Sequence, residues 1–216
     1  MPEQKTIQPN SHDVLVVVDV QVDFLPGGAL AVPAGDAVIG PINRLAKAFR
    51  HVVLTQDWHP RGHASFASSY PGRQPFELID LAYGPQVLWP DHCVQGTPGA
   101  EISRDLDIPH AQLVIRKGYN AGIDSYSGFM EADRKTSTGL AGYLKERGFR
   151  RVFCVGLALD FCVAWTALDA AAAGFETYLI EDASRAIDTN GSLEKARQDL
   201  KAAGVHTIVS EQIADS

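Results

Sequence analysis

The sequence predicts an α/β fold: an open, mostly parallel sheet with helices on both faces, in three α/β/α layers. Three observations carry that expectation. Short apolar runs rich in β-branched residues recur at 14–18, 52–55, 113–115, 152–155, 178–180 and 207–209, and continuous apolarity of this kind suits strands buried on both faces. Segments between them carry the helical period, as in Val38, Ile39, Ile42, Leu45, Ala46 and Phe49, or Leu193, Ala196, Leu200 and Ala203. Finally, Gly148, Gly174 and Gly204 each follow a helical pattern and shortly precede a strand, where a helix is closed by glycine.

Taken in order, the first strand runs into Asp19, and a helix over 38–49 leads to the second strand, followed by Asp57 and His59. From about Pro60 to Pro109 the chain is rich in Gly, Pro, Tyr and Trp without sustained periodicity, and long irregular segments inside a domain are usually functional loops. The third strand ends at Lys117. The fourth runs through Gly156 into a turn holding Cys162, and an apolar helical face continues through Ala164, Leu168 and Ala171. A fifth strand, the helix at 193–203 and a sixth strand complete the alternation. Residues 1–12 read as a polar tail and 13–216 as one domain.

With 216 residues, 45% hydrophobic and 21% charged, the chain has ordinary globular composition and length for one domain. Its 26 acidic against 19 basic residues leave a net charge of -7, which offers no attraction to nucleic acid or anionic lipid. No apolar stretch approaches the roughly 20 residues of a membrane helix, and the first residues lack the apolar region of a signal peptide. Three cysteines, Cys93, Cys154 and Cys162, argue against a disulfide framework and for a reducing cytoplasm.

Ligands of open α/β sheets bind beyond the carboxyl ends of the strands, and there the reactive residue types collect. Cys162, near a helix N-terminus, is expected to have its thiol pKa lowered from roughly 8.5 by unpaired amides and the helix dipole; those amides could also hold an oxyanion. Lys117 could depress a neighbouring thiol and stabilise developing negative charge. Turn formation could account for either Asp19 or Asp23, and position favours Asp19, at the strand terminus, for moving a proton. Asp57, His59 and His92 offer one carboxylate and two imidazoles, enough for one open divalent metal site. The same set is compatible with a facial triad for Fe(II) oxygen chemistry. Cys154, in mid-strand, reads as inert core.

These residues resemble the cysteine hydrolases of the isochorismatase-like superfamily, and within them the nicotinamidases. The motifs are Val18-Asp19-Val20-Gln21-Val22-Asp23-Phe24, Gln56-Asp57-Trp58-His59-Pro60, Trp89-Pro90-Asp91-His92-Cys93-Val94-Gln95-Gly96-Thr97, Arg116-Lys117-Gly118, and the block ending in Cys162. The resemblance implies a Cys162 nucleophile, an Asp19 proton shuttle and a Lys117 electrostatic partner. It implies an oxyanion hole from the amides of Ala158 and Cys162, and a cis bond between Leu157 and Ala158. Asp57, His59 and His92 would hold one zinc, iron or manganese ion, Phe24 and Trp89 would wall the pyridine ring, and about 58–109 would be the metal and substrate loop region. Contact of His63 with the metal stays open, as do the metal's identity and the oligomeric state, a homo-oligomer included. The implied reaction is hydrolysis of nicotinamide, and of pyrazinamide, through a thioester; the alternative is a relative acting on another amide or a vinyl ether.

Overall fold

The structure is a computed structural model that describes residues 6–214. The strands are β1 (Asp13–Val18), β2 (Val52–Asp57), β3 (Leu78–Leu81), β4 (Gly84–Val87), β5 (Leu113–Lys117), β6 (Arg151–Leu157), β7 (Glu176–Arg185) and β8 (His206–Ile208). Six of them form one sheet in the order β5-β2-β1-β6-β7-β8, and every neighbouring pair is parallel. Alternation along a strand sends successive side chains to opposite faces, so Leu15 and Val17 join one apolar cluster while Val14, Val16 and Val18 join the other. All six residues of β1 are buried, as expected for a strand covered on both sides.

The helices are α1 (Ile39–Ala48), α2 (Leu140–Glu146), α3 (Ala164–Ala172) and α4 (Ser192–Ala202). Ile39, Ile42, Leu45 and Ala46 of α1 pack on the face of Leu15 and Val17. Leu140 and Leu144 of α2, Ala167 and Ala170 of α3, and Ala196 and Leu200 of α4 cover the other. The expected layers are therefore present, with one helix on one side and three on the other. Gly148, Gly174 and Gly204 all carry positive φ just past their helices.

Two local features differ from the sequence reading. β3 and β4 form an antiparallel hairpin, Leu78 opposite Val87 and Leu81 opposite Gly84, inside the stretch expected to be irregular. Its strands carry no clean apolar alternation, and Leu78 is exposed, so the period-2 signal is weak there. Near the N-terminus, the Ile7 amide donates to the Gln212 carbonyl at 2.7 Å and the Ala214 amide to the Ile7 carbonyl at 3.0 Å. Residues 1–5 of the expected tail and 215–216 at the end of the expected domain lie outside the described residues. Among the described residues no helix is long and apolar enough to cross a membrane.

The chain leaves β1 for β2 on one side and returns to β6 on the other, which makes the gap beyond β1 and β6 the crevice where such sheets bind ligands. Close approach there requires Gly156: its φ is +120°, and a Cβ would lie 2.1 Å from the Val18 carbonyl oxygen.

Candidate active site

The rim beyond the sheet is assembled by register. Asp57 and Lys117 are direct partners at the ends of β2 and β5, Asp19 follows β1, and Cys162 lies in a five-residue π-helical turn, Leu159–Val163, between β6 and α3. Single π turns are frequent at functional sites. Here Phe161 and Val163 both donate their amides to the Ala158 carbonyl at 3.1 Å. The Leu157–Ala158 bond is cis, as the resemblance implied.

Lys117 is wholly buried, with Nζ donating to Asp57 Oδ1 at 2.5 Å, to the Ser125 carbonyl at 2.8 Å and to Cys162 Sγ at 3.4 Å. Asp19 Oδ2 forms an ion pair with the same Nζ at 2.8 Å. Apart from that ion pair it has no hydrogen-bond partner among the described residues. Asp19 is otherwise fixed by Thr55, whose hydroxyl donates to Oδ1 at 2.5 Å and accepts the Asp19 amide at 3.1 Å.

Burial favours the neutral form of each group, and the charges decide the outcome. For Lys117 burial pulls the pKa down, but Asp19 and Asp57 outweigh it and hold the ammonium charged well above the usual lysine range. Burial also works against the Asp57 carboxylate, where Lys117 and His59 prevail and lower it well below the usual range. Asp19 goes the other way: burial, reinforced by Asp57, raises its pKa against the pull of Lys117. The Cys162 thiol is pushed well up by burial and by Asp19 and Asp57, with Lys117 opposing. This corrects the expected depression. The helix end offers only local amides, whereas two carboxylates, Asp19 just past β1 and Asp57 at the end of β2, share the thiol's buried environment. Cys154, buried in β6, is pushed up to about 12 by burial, in keeping with inert core.

Beside this cluster, Asp57 Oδ2 lies 3.6 Å from His59 Nε2 and 3.8 Å from His92 Nε2. His59 Nδ1 donates to the Gly118 carbonyl at 2.9 Å and His92 Nδ1 to the Pro90 carbonyl at 2.8 Å, which turns both Nε2 lone pairs toward Asp57. Such outer hydrogen bonds are how metal-binding imidazoles are oriented. Asp57 also raises the proton affinity of His59 against the effect of burial; a cation between these atoms would answer the same pull. The donor set of one carboxylate oxygen and two imidazoles therefore fits a divalent metal. His63 is not among these three donors, although with His59 and Asp124 it forms a second buried group whose ligand atoms lie within 4.8 Å of one another. Its Nε2 donates toward the Asn120 and Ile123 carbonyls at 3.0 and 3.2 Å, and its Nδ1 contacts Ser65 Oγ at 2.7 Å.

The irregular stretch is tied down by backbone pairing. His59 N donates to Cys93 O, Gln95 N to His59 O, Ala67 N to Trp89 O, and Trp89 N to Ser65 O, all between 2.8 and 3.0 Å. Asp23 accepts the Cys93 amide at 2.7 Å and the Ala29 amide at 3.2 Å, a loop-closing role distinct from that of Asp19. Phe24 and Trp89 line the resulting cleft together with Asp57, His59, His92, Ala158 and Cys162. Five further lining residues escape the sequence reading: Leu30, Asp124, Tyr126, Phe161 and Ile187. Of these, Phe161 was signalled only by its place next to Cys162, while Asp124 and Tyr126 sit where no periodicity guides prediction. The Tyr126 hydroxyl accepts from Trp89 Nε1 at 3.0 Å, and Trp89 meets Phe161 edge-on at 4.9 Å.

Residues 13–212 match the model of the isochorismatase domain family. A relative from Acinetobacter baylyi named nicotinamidase is 61% identical over 92% of this chain and 93% of its own. A solved structure from L. infantum in complex with nicotinate superposes with a TM-score of 0.85 at 41% identity, covering 97% of this chain and 98% of that one. The pyrazinamidase of Pyrococcus horikoshii, solved in complex with zinc, gives 0.75 at 37% identity over 92% and 99%. The chain belongs to the isochorismatase family, where it stands among relatives named nicotinamidase.

Proposed function

We propose that the protein hydrolyses nicotinamide to nicotinate and ammonia through a thioester on Cys162. The observation that carries this reading is Lys117 Nζ, which meets Asp57 at 2.5 Å, Asp19 at 2.8 Å and Cys162 Sγ at 3.4 Å with no exposure to solvent. Two carboxylates and a thiol thus converge on one buried ammonium.

Asp19 Oδ2, ion-paired with Lys117, takes the thiol proton as sulfur attacks the amide carbon. The carbonyl electrons move to oxygen, which meets the amides of Ala158 and Cys162. Asp19 gives its proton to the nitrogen, ammonia departs, and the thioester remains. Water then loses a proton to Asp19 and attacks the thioester, releasing nicotinate and returning the proton to sulfur. The raised pKa of Asp19 suits a group that must hold a proton between steps. Lys117 stays charged throughout and offsets the negative charge that moves between Asp19 and substrate.

Asp57, His59 and His92 would hold one zinc, iron or manganese ion, which when bound supplies an electrophilic anchor for the pyridine nitrogen. Phe24 and Trp89 would flank the ring, a wall equally suited to the diazine of pyrazinamide. All three cysteines are free, which supports placement in the reducing cytoplasm.

The test is ammonia release from nicotinamide by metal-loaded protein, with Cys162→Ala alongside. Wild type should turn over. Cys162→Ala should lose at least about 10³-fold in kcat while still binding nicotinate in calorimetry. Appreciable steady-state turnover by Cys162→Ala would overturn the nucleophile assignment.

A further inference from the structure

Between the two residues assigned to the oxyanion hole stands Asp160, which the proposed chemistry does not use. Its side chain is buried, yet every donor to it is uncharged and comes from one remote segment. Oδ1 accepts the Ile187 amide at 3.0 Å; Oδ2 accepts the Asp188 amide at 2.8 Å and the Ser192 hydroxyl at 2.5 Å. The Ser192 hydroxyl also accepts the Thr189 amide at 3.0 Å, at the first residue of α4. Asp188 and Asn190 both have φ in the left-handed region, +53° and +52°, which Asp and Asn enter more readily than other non-glycine residues and which turns the segment tightly at α4. Ile187 lines the cleft together with Ala158, Phe161 and Cys162.

A buried carboxylate that draws three donors onto itself does more than cap a turn. It ties the π-helical turn of Cys162 to the Ile187 segment through three hydrogen bonds. We infer that Asp160 is a positioning residue that holds the Ala158 and Cys162 amides where the substrate oxygen becomes negative. The inference rests on the reading of Cys162 as nucleophile. It differs from a packing role because its effect falls on the state with charge on oxygen and spares binding of the ring.

Asp160→Asn keeps the shape but offers one acceptor oxygen to three donors and turns an NH2 toward one of them. Ser192→Ala removes a single donor and leaves the carboxylate in place. Two probes separate the effects. Nicotinate uses the ring site. Pyridine-3-carbaldehyde should also bond to sulfur through its carbonyl carbon, the thiol proton passing to Asp19 and the carbonyl electrons to oxygen, and so places negative charge at the oxyanion position.

With metal-loaded proteins, Asp160→Asn should lower kcat about 30-fold or more and weaken aldehyde binding by a similar factor, with KM and nicotinate affinity within about 3-fold. Ser192→Ala should show the same split at smaller amplitude. Unchanged kcat in folded Asp160→Asn, or equal weakening of both ligands, would overturn the inference. Should Asp160→Asn fail to fold, Ser192→Ala decides alone, and unchanged kcat and aldehyde affinity there refute the proposal. Cys162→Ala run in parallel distinguishes the two failures: if it turns over, the nucleophile reading falls, whereas if only the Asp160 and Ser192 variants are unaffected, the positioning role falls.

Discussion

The carboxyl rim of the sheet and the stretch from 58 to 109 meet in one cleft, but they place their side chains by different physics. On the rim, position follows from register. Asp57 and Lys117 are cross-strand partners, Asp19 leaves β1 held by Thr55 of β2, and strands buried on both faces cannot slip without exposing apolar surface. In the stretch, His92 and Trp89 are held by isolated bridges between segments without a common sheet, His59 with Val94 and Phe66 with Trp89. The rim therefore supplies charged groups placed by strand register, and the stretch supplies Trp89 and the imidazoles of His59 and His92, placed by isolated bridges. Asp57 joins them, giving one oxygen to Lys117 and facing both imidazoles with the other.

The difference predicts which property each region controls, and a rim substitution should have the largest effect. Lys117→Met removes the one ammonium shared by Asp19, Asp57 and Cys162. Two buried carboxylates then face each other without compensation, a change that costs about 3–5 kcal/mol where a buried pair is broken. We expect kcat to fall by about 10³-fold or more and the thermal midpoint to drop, while the metal remains, since its three candidate ligands are untouched. Turnover at the wild-type rate would break the claim that rim charges govern the chemistry.

His92→Ala should act in the opposite sense. One of three candidate ligands is lost while Cys162, Lys117 and Asp19 keep their contacts. Metal content by elemental analysis should fall and KM should rise about 10-fold or more, because losing even an outer hydrogen-bond partner of a metal ligand commonly costs about 10- to 100-fold in affinity or activity and a ligand itself is lost here. The rate of thiol alkylation at saturating reagent should stay near that of wild type. Full metal occupancy in this variant would remove His92 from the ligand set.

The same contrast explains what could be read in advance. Asp19, Asp57, Lys117 and Cys162 were legible because apolar runs locate strand ends and open sheets bind ligands there. His92 had no periodicity around it and was picked out by residue type, as a second imidazole to set beside Asp57 and His59, whereas the wall role of Trp89 was reached through motif resemblance. Ile187 and Tyr126 enter the cleft from segments whose course depends on tertiary packing, and Asp160 binds a loop 27 to 32 residues away in sequence, a pairing that no local pattern encodes. The direction of the thiol shift was misjudged for the same reason: the decisive neighbours arrive from other strands.

The smallest effect should come from the residue at which the two regions touch. Gly118 follows Lys117 on the rim, yet its carbonyl orients His59, and a Cβ there would stand 2.4 Å from His59 Cε1. Its φ of +67° adds strain for any other residue. Gly118→Ala must therefore push the imidazole aside while leaving Lys117 and its three partners in place. Metal affinity should weaken by about 10-fold, and added metal should restore most of the turnover, which neither Lys117→Met nor Cys162→Ala would allow. A loss of kcat that saturating metal does not rescue would mean that the rim and the metal ligands form one rigid unit, and that Asp57 transmits displacement from one to the other.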